Sequence, residues 1–269
     1  MQKTINNQNW SIGKHALITG AASGIGKSIA FGLLGKCRKL TLLSRNKDSS
    51  LDDTVESLRA DSNNNVFTTE ISQKEMDITD YKNIKPFIES IYNNGDQIDI
   101  FINCAGGSHK YDILEKLSYK DINQIFDINA KAPIFWLKEL LPKMKLNKID
   151  SVGHKRAQIV LLSSRSAERT LAKLSIYTIS KGSVEKLAES MRLEYSKNDI
   201  VFTLVNPGSI DTNFASKWEE APKVSHTNES MEVNEASSII LEAIDKQFAI
   251  NKISYESIEQ WKNEPGVLK

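Results

Sequence analysis

The sequence is poor in the features that mark disulfide-bonded, metal-binding, nucleic-acid-binding and membrane proteins. Its 269 residues include two cysteines, Cys37 and Cys104, whose spacing suits neither a metal site nor a disulfide framework. The net charge is +1 without a basic block, so nothing favours binding to nucleic acid or to an anionic membrane. The first ten residues are polar, and no apolar run approaches membrane-spanning length. We therefore expect a soluble cytoplasmic protein that binds no metal, nucleic acid or membrane.

Short apolar runs rich in β-branched residues alternate with longer amphipathic stretches along most of the chain. This alternation is typical of parallel sheets whose right-handed crossover helices cover both faces. No linker rich in proline, glycine and serine occurs, and no internal repeat. The sequence thus predicts an α/β fold with a doubly wound parallel sheet, in a single domain over residues 1–269. Strands are expected at residues 16–19, 40–43, 66–77, 98–102, 158–162 and 201–205, and helices at 25–34, 50–60, 80–92, 119–145, 175–195 and from 234.

One long connection, residues 211–233, interrupts this alternation. It is polar and contains Pro222. In doubly wound sheets the loops beyond the carboxyl ends of the strands hold the ligands, so the connection is predicted to be a substrate lid. A tolerated surface insertion is the alternative. We expect residues 14–110 to bind a cofactor and residues 111–269 to carry catalysis and substrate binding.

A glycine-rich turn, with the sequence TGAASGIG over residues 19–26, follows the first predicted strand. Glycines at this position let the chain turn tightly and bring backbone amides close to a diphosphate at a helix N-terminus. The spacing is G-x-x-x-G-x-G, and its position after the first strand strengthens an otherwise weak signal. The residues expected to contact a dinucleotide here are Gly20, Ser23, Gly24, Ile25 and Gly26.

The end of the second predicted strand bears on the choice between the two nicotinamide dinucleotides. An enzyme restricted to the non-phosphorylated form usually places Asp or Glu there, to bind the ribose 2′-hydroxyl. This chain has Ser44 and Arg45 instead, a hydroxyl and a guanidinium that suit a 2′-phosphate. The sequence therefore favours NADP(H) over NAD(H). An ordinary solvated surface arginine is the alternative interpretation of Arg45.

Tyr177 and Lys181 are four residues apart on a predicted helix, so they share one face of it. An ammonium beside a phenol favours the phenolate, and so would lower the pKa of the tyrosine from its usual value of about 10. Such a pair could serve as a proton donor to a carbonyl oxygen. The spacing alone proves little, because the chain repeats it at Tyr81 and Lys85, where we see no chemical role.

Together with further motifs in the same order, these features make residues 14–248 resemble the short-chain dehydrogenase/reductase family, and within it the NADP-preferring carbonyl reductases. The additional stretches are MDIT at 76–79, NCAG at 103–106, DINA at 127–130, SS at 163–164 and NPG at 206–208. The resemblance implies a Rossmann-type fold and a catalytic tetrad of Asn129, Ser164, Tyr177 and Lys181. It also implies cofactor contacts from Asp77, Asn103, Ala105, Gly106, Tyr177, Lys181, Pro207, Gly208, Ile210 and Thr212.

The resemblance also implies a role for each tetrad residue. Tyr177 would donate a proton to the carbonyl oxygen in reduction, or accept one in alcohol oxidation, and Ser164 would orient and polarise the carbonyl. Lys181 would lower the pKa of Tyr177 and bind the nicotinamide ribose, while Asn129 would hold a water linking Lys181 to solvent. The alternatives are a strand-end hydroxyl bonded to local backbone for Ser164 and a packing amide for Asn129.

Two departures from the family pattern stand out. Cys104 replaces the second asparagine of N-N-A-G, and we expect the chain to tolerate it because cysteine is small and easily buried. The glycine-rich V-D-G-G ending is missing, and residues 252–258 could form a last strand whose pairing the sequence leaves open. This departure weakens the transfer of the family's usual assembly, a homodimer or homotetramer.

The leading hypothesis is an NADP(H)-dependent oxidoreductase that interconverts a carbonyl and a secondary alcohol on a small molecule. The alternatives are a lipid-ketone reductase of the 3-ketosphinganine type and a non-catalytic binding protein that senses a dinucleotide. The substrate pocket is expected to draw on residues 107–111, 165–174 and 214–233. Arg165, Glu168 and Arg169 put charges there, which could suit a polar substrate or could be solvated loop charges.

Overall fold

The computed structural model describes residues 10–45, 50–62, 68–108, 110–150, 155–170, 172–210 and 231–246, together with the backbone of residues 253–255. Strands and helices alternate through these residues, as the sequence predicts. The strands are β1 (His15–Thr19), β2 (Lys39–Ser44), β3 (Glu70–Glu75), β4 (Ile100–Asn103), β5 (Ala157–Leu162), β6 (Ile200–Pro207) and β7 (Ile253–Tyr255). The helices are α1 (Gly24–Leu33), α2 (Ser50–Ser62), α3 (Tyr81–Asn93), α4 (Tyr119–Phe126), α5 (Ala132–Met144), α6 (Ser175–Glu194) and α7 (Val233–Asp245).

The strands form one parallel sheet in the order β3-β2-β1-β4-β5-β6-β7. The predicted doubly wound α/β fold is therefore confirmed. The order reverses between β1 and β4, the point at which ligands bind in such sheets. The last strand, which the sequence left without a partner, pairs in parallel with β6 through Val205 and Ile253.

Helices cover both faces of the sheet and bury a separate apolar layer on each. Successive strand residues point to opposite faces, so Ala16 and Ile18 of β1 pack on the side of α1 and α7, while Leu17 packs on the side of α3, α5 and α6. β1, β4 and β5 are buried along their whole length, as strands covered on both faces should be. β3, at the sheet edge, is largely exposed.

The long helix predicted over residues 119–145 is interrupted. Residues Asp127–Lys131 form a π-helical turn between α4 and α5, closed by a hydrogen bond from the Ala132 N–H to the Asp127 carbonyl. The cause lies in the sequence, because Pro133 has no N–H to donate to the carbonyl of Asn129, four residues earlier, and its ring crowds that carbonyl. The wider turn places Asn129, a predicted catalytic residue, at the irregularity.

Among the described residues, no helix combines the length and the apolarity that crossing a lipid bilayer requires. The longest described helix, α6, carries the predicted Tyr177–Lys181 pair in its first two turns.

Candidate active site

The four predicted tetrad residues meet beyond the carboxyl ends of β4 and β5. Ser164 lies two residues after β5 and is hydrogen-bonded to the side chain of Tyr177. The Lys181 Nζ lies 6.0 Å from the centre of the Tyr177 ring. Asn129 completes the group through a 3.2 Å hydrogen bond from its Nδ2 to the hydroxyl of Ser180 on α6. The fold thus brings together side chains from three separate segments of the chain.

The Asn129 amide holds the loop that follows β4. Its Oδ1 accepts a hydrogen bond from the Gly107 N–H at 2.8 Å, and its Nδ2 donates to the Gly107 carbonyl at 2.7 Å. Gly106, the neighbouring residue, lies between the two catalytic candidates, since a Cβ there would be 2.8 Å from Lys181 Nζ and 2.9 Å from Asn129 Oδ1. The Asn129 amide therefore does have the packing role given above as an alternative, and it holds this loop directly beside Lys181.

Lys181 is a buried amine, with 5% of its surface exposed. Its Nζ donates a hydrogen bond to the carbonyl of Leu162, the last residue of β5, at 3.0 Å. Burial lowers the pKa of Lys181 from 10.5 to about 8, and Cys104 acts weakly in the opposite direction. The backbone of Lys181 is also fixed, because its carbonyl accepts from the Ser163 hydroxyl at 2.8 Å.

Tyr177 is buried as well, and its pKa moves opposite to the predicted direction. Burial raises the pKa of Tyr177 to about 12, and the hydrogen bond with Ser164 only partly offsets this rise. The prediction that the Lys181 ammonium would set a lowered pKa is wrong for the chain by itself. The reason is distance and burial, because the ammonium is 6.0 Å from the ring centre and is itself disfavoured by its surroundings.

The glycine turn between β1 and α1 has the geometry that a diphosphate requires. Gly20 and Gly24 have φ angles of 69° and 54°, in the left-handed region that favours glycine. A Cβ on Gly26 would lie 2.4 Å from the Gly20 carbonyl oxygen, so only glycine fits there. Ser23 precedes α1 without a side-chain capping bond, and no acidic residue occupies the first turn. No acidic side chain in the first turn of α1 competes for the backbone amides at this helix end. The residues present therefore fit an anionic phosphate.

Other predicted cofactor residues line the same edge of the sheet. Ser44 ends β2, its carbonyl accepts the Met76 N–H at 2.8 Å, and Arg45 beyond it is exposed. Asp77 is exposed beyond β3, and its Oδ1 accepts from the backbone N–H and the hydroxyl of Thr79, at 2.9 and 2.7 Å.

Asn103 ends β4 and is joined to the glycine turn by Thr19. The Thr19 hydroxyl donates to Asn103 Oδ1 at 3.4 Å and accepts from the Ala105 N–H at 3.1 Å. Between them lies Cys104, whose thiol pKa is raised to about 12 by burial. Cys104 is partly buried against the apolar layer on the α1 side, which agrees with the expectation that cysteine packs in place of the asparagine.

The far end of the predicted cofactor site follows β6, which ends at Pro207, and Gly208 follows directly. Ile210 pairs with Met231 through an isolated parallel bridge, which brings the two ends of the predicted lid together. Thr212 and the rest of the predicted lid, up to residue 230, lie outside the described residues.

A polar cluster that the sequence interpretation missed lies next to the tetrad. Of the two interpretations given for Arg165, a solvated loop charge does not fit, because its side chain is only 15% exposed and forms a 2.9 Å ion pair with Glu168. Glu168 in turn accepts a hydrogen bond from the buried Asn206, which also donates to Glu185. Glu185 lies four residues after Lys181, on the same face of α6, and this spacing was the signal available in the sequence.

Comparison with known proteins agrees with the fold. The sequence model of the family described as short chain dehydrogenase matches residues 14–223. An 11-beta-hydroxysteroid dehydrogenase-like 2 protein of Arabidopsis thaliana is 30% identical over 204 residues, which cover 76% of this chain and 61% of that protein. The chain thus spans about three fifths of the length of the first curated relatives it matches. The 3-ketodihydrosphingosine reductase of Mus musculus is 27% identical over 203 residues, covering 74% of this chain and 57% of that protein.

Solved structures share the fold at low sequence identity. An alcohol dehydrogenase from the archaeon Thermococcus sibiricus, complexed with 5-hydroxy-NADP, has a TM-score of 0.75 at 20% identity and covers 94% of this chain and 98% of its own. A 3-ketoacyl-(acyl-carrier-protein) reductase from Brucella melitensis, complexed with NADH, has a TM-score of 0.77 at 19% identity and covers 92% and 97%.

Proposed function

This chain belongs to the short-chain dehydrogenase family, whose members are oxidoreductases, and from that premise we propose that it is an NADP(H)-dependent enzyme interconverting a carbonyl group and a secondary alcohol on a small molecule. The observation that carries the proposal is the hydrogen bond between Ser164 and Tyr177, with the buried amine of Lys181 beside it. A hydroxyl and a phenol within hydrogen-bonding reach of each other can both bond to one carbonyl oxygen. When bound, the dinucleotide supplies or removes the hydride at the carbonyl carbon.

In the proposed reaction the protein's own side chains act on the substrate oxygen, by donating a proton to it and stabilising its charge. In reduction, the carbonyl oxygen gains negative charge as its carbon becomes bonded to hydrogen, and the Tyr177 hydroxyl donates the proton that completes the alcohol. Ser164 donates a hydrogen bond to the same oxygen and stabilises its developing charge. Lys181, held by the Leu162 carbonyl, presents its positive form to the phenolate that Tyr177 leaves behind.

The raised pKa of Tyr177 fixes its protonation state at neutral pH. With that pKa raised to about 12, the phenol is almost wholly protonated near neutrality and ready to donate. Alcohol oxidation needs the phenolate, which burial disfavours. At neutral pH the chain by itself therefore holds the proton that carbonyl reduction consumes.

Arg45 supports NADP(H) as the cofactor in this proposal. Its exposed guanidinium follows β2, at the strand end where a 2′-phosphate would lie, and the residue before it is Ser44 rather than Asp or Glu. The related structures include complexes with both dinucleotide types, so the choice between them is tested by measuring the affinity of this chain for NADPH and for NADH. Arg45→Ala should lower NADPH affinity about tenfold or more, the effect of losing one charge-assisted contact, and leave NADH affinity unchanged. The control is Arg59→Ala, at an exposed arginine in the last turn of α2. Equal NADPH and NADH affinities that Arg45→Ala leaves unchanged would refute the assignment.

The reaction itself is tested by NADPH consumption against a carbonyl panel of diketones, quinones, keto-esters and 3-ketosphinganine. Tyr177→Phe removes only the hydroxyl and should abolish most of the activity, by about 100-fold or more. Tyr81→Phe is the matched control, because that tyrosine belongs to the second Tyr–Lys pair of the chain and is 60% exposed. Unchanged activity in Tyr177→Phe would sink the mechanism.

The similarity to the mouse 3-ketodihydrosphingosine reductase favours a lipid ketone as a second candidate substrate class. A preference for 3-ketosphinganine over the other carbonyls of the panel by at least about tenfold in kcat/KM would select it. Tight NADPH binding with no turnover of any carbonyl would instead favour a dinucleotide sensor. A homodimer or homotetramer is proposed for the assembly, to be measured by light scattering on the purified chain.

A further inference from the structure

The buried side chain of Asn206 joins three segments that surround the candidate active site. Its Nδ2 donates a hydrogen bond to Glu168 Oε1 at 3.0 Å, and a second one to Glu185 Oε1. The other carboxylate oxygen of Glu168 is paired with the Arg165 guanidinium, 2.9 Å from Nη1. One amide group thus uses both of its N–H donors on two carboxylates from different parts of the chain.

The charged members of this network lie close to catalytic candidates in the sequence. Arg165 to Ala167 form a 3-10 turn that begins directly after Ser164, and Glu168 ends it. Glu185 is one helical turn after Lys181 on α6. The network therefore ties the turn that carries Ser164 to the helix that carries Tyr177.

The arrangement is poorly explained as packing alone. Two carboxylates that converge on one nitrogen repel each other, and the ion pair between Arg165 and Glu168 adds a third buried charge to the same place. Asn206 is fully buried, and its Oδ1 has no hydrogen-bond partner among the described residues, a costly condition for an amide. An apolar residue would fill the same space without either cost. What the polar side chains add is direction, because a hydrogen bond fixes the position of both partners.

We propose that Glu185 and Glu168, acting through Asn206, are positioning residues that hold the Ser164 turn against α6 so that Ser164 and Tyr177 meet at one oxygen. The proposal rests on the proposed function. In this proposal the network acts by fixing the backbone that carries Ser164. Small displacements of a reacting group are costly, up to about 100-fold in rate for roughly 1 Å.

The first test asks whether the hydrogen bond between Asn206 and Glu185, and not merely the bulk of the Glu185 side chain, supports turnover. Glu185→Ala removes the acceptor, and kcat should fall about 10- to 100-fold while the KM for NADPH changes less than about threefold. Glu185→Gln keeps an amide oxygen for Asn206 and should restore kcat to within about threefold of the wild type. Glu168→Ala should reproduce the loss of Glu185→Ala, since both act through one amide. Glu189→Ala, one turn further along α6 at a half-exposed residue, is the matched control and should leave kcat unchanged.

The second test needs no turnover and keeps the proposal apart from the proposed function. Backbone hydrogen exchange reports the turn itself, where the Ala167 and Glu168 amides bond to the carbonyls of Ser164 and Arg165, both at 3.0 Å. In Glu185→Ala these two amides should exchange at least about tenfold faster, while the amides of β5 and β6 keep their rates. If no carbonyl is reduced by the wild type, the proposed function fails and this exchange still decides the positioning role. Unchanged exchange in the turn, a uniform rise across the sheet, or equal losses of kcat in the Ala and Gln variants would overturn it.

Discussion

Replacing the buried Lys181 by methionine should abolish the proposed activity. It should also make the variant more stable relative to the wild type at neutral pH than it is at high pH. Lys181 is 5% exposed, and its pKa falls from 10.5 to about 8 on folding. The folded chain therefore carries a proton on this amine less readily than the unfolded chain. Methionine has a similar length and no charge, so the variant is free of this penalty.

The sign and size of the effect follow from the two pKa values. Between about pH 8 and 10.5 the unfolded state holds more protons at this site, so the stability of the wild type rises with pH through that window and is lost as pH falls through it. The gap between 10.5 and about 8 is worth about 3 kcal/mol, at about 1.4 kcal/mol per pH unit. About 2 kcal/mol of it should be recovered between about pH 7 and pH 9.5.

The assay is urea unfolding of wild type and Lys181→Met at both pH values, on protein shown by its absorbance to be free of dinucleotide. The quantity to compare is the difference between the two proteins, because all other titrating groups cancel in it. On raising the pH from about 7 to 9.5, the unfolding free energy of the wild type should increase by about 2 kcal/mol relative to that of the variant. Lys85→Met is the control, since Lys85 is 62% exposed and weakly paired, and its difference should not move. A pH-independent difference for Lys181→Met would refute the claim that the buried amine carries a penalty.

Three further predictions concern single positions. Gly106→Ala should lower kcat/KM about 10- to 100-fold in the carbonyl assay, because the new methyl group would collide with Lys181 Nζ and Asn129 Oδ1; activity equal to the wild type would show that both side chains can move aside. His15 is fully buried and its pKa is lowered to about 4, so the unfolded state binds more protons than the folded state as the pH falls below 6.5. In urea unfolding, the stability of the wild type relative to His15→Gln should therefore drop by about 2 kcal/mol from about pH 7 to pH 5. A stability difference that does not change with pH would contradict this prediction. Ser118→Ala removes the capping box of α4 and should cost about 1 kcal/mol in the same assay, whereas no loss would mean that the cap is replaced by water.

Much of the sheet and the tetrad could be predicted because their signals are local. Continuous apolar runs mark β1 and β5, which are buried on both faces, and the order of motifs along the chain follows the order of the strands. In a parallel sheet the carboxyl ends of the strands share one edge. Residues just after β4 and β5 must therefore approach one another, whatever the details of the loops.

The features that were missed depend on contacts between distant residues. The pairing of β7 with β6 requires the whole sheet to be assembled first, and no spacing encodes it. The bond from Asn206 to Glu185 links residues 21 positions apart, from a strand to a helix. The π turn differs, because Pro133 was visible in the sequence and its missing N–H was sufficient to predict an interruption near Asn129.

The pKa of Tyr177 was misjudged because spacing on a helix says nothing about dielectric surroundings. The i, i+4 argument counts the attraction between a phenolate and an ammonium, yet both groups are buried here, and burial disfavours the charged form of each. Burial thus raises the pKa of the acid to about 12 and lowers that of the amine to about 8. At neutral pH Tyr177 is therefore a neutral phenol that holds the proton consumed in reduction, while Lys181 is still mostly an ammonium. Once negative charge develops on a carbonyl oxygen between them, the same burial strengthens its attraction to Ser164, Tyr177 and the ammonium form of Lys181. The stability that Lys181→Met should recover at neutral pH is then the cost of keeping that ammonium charged in the buried site before the substrate binds.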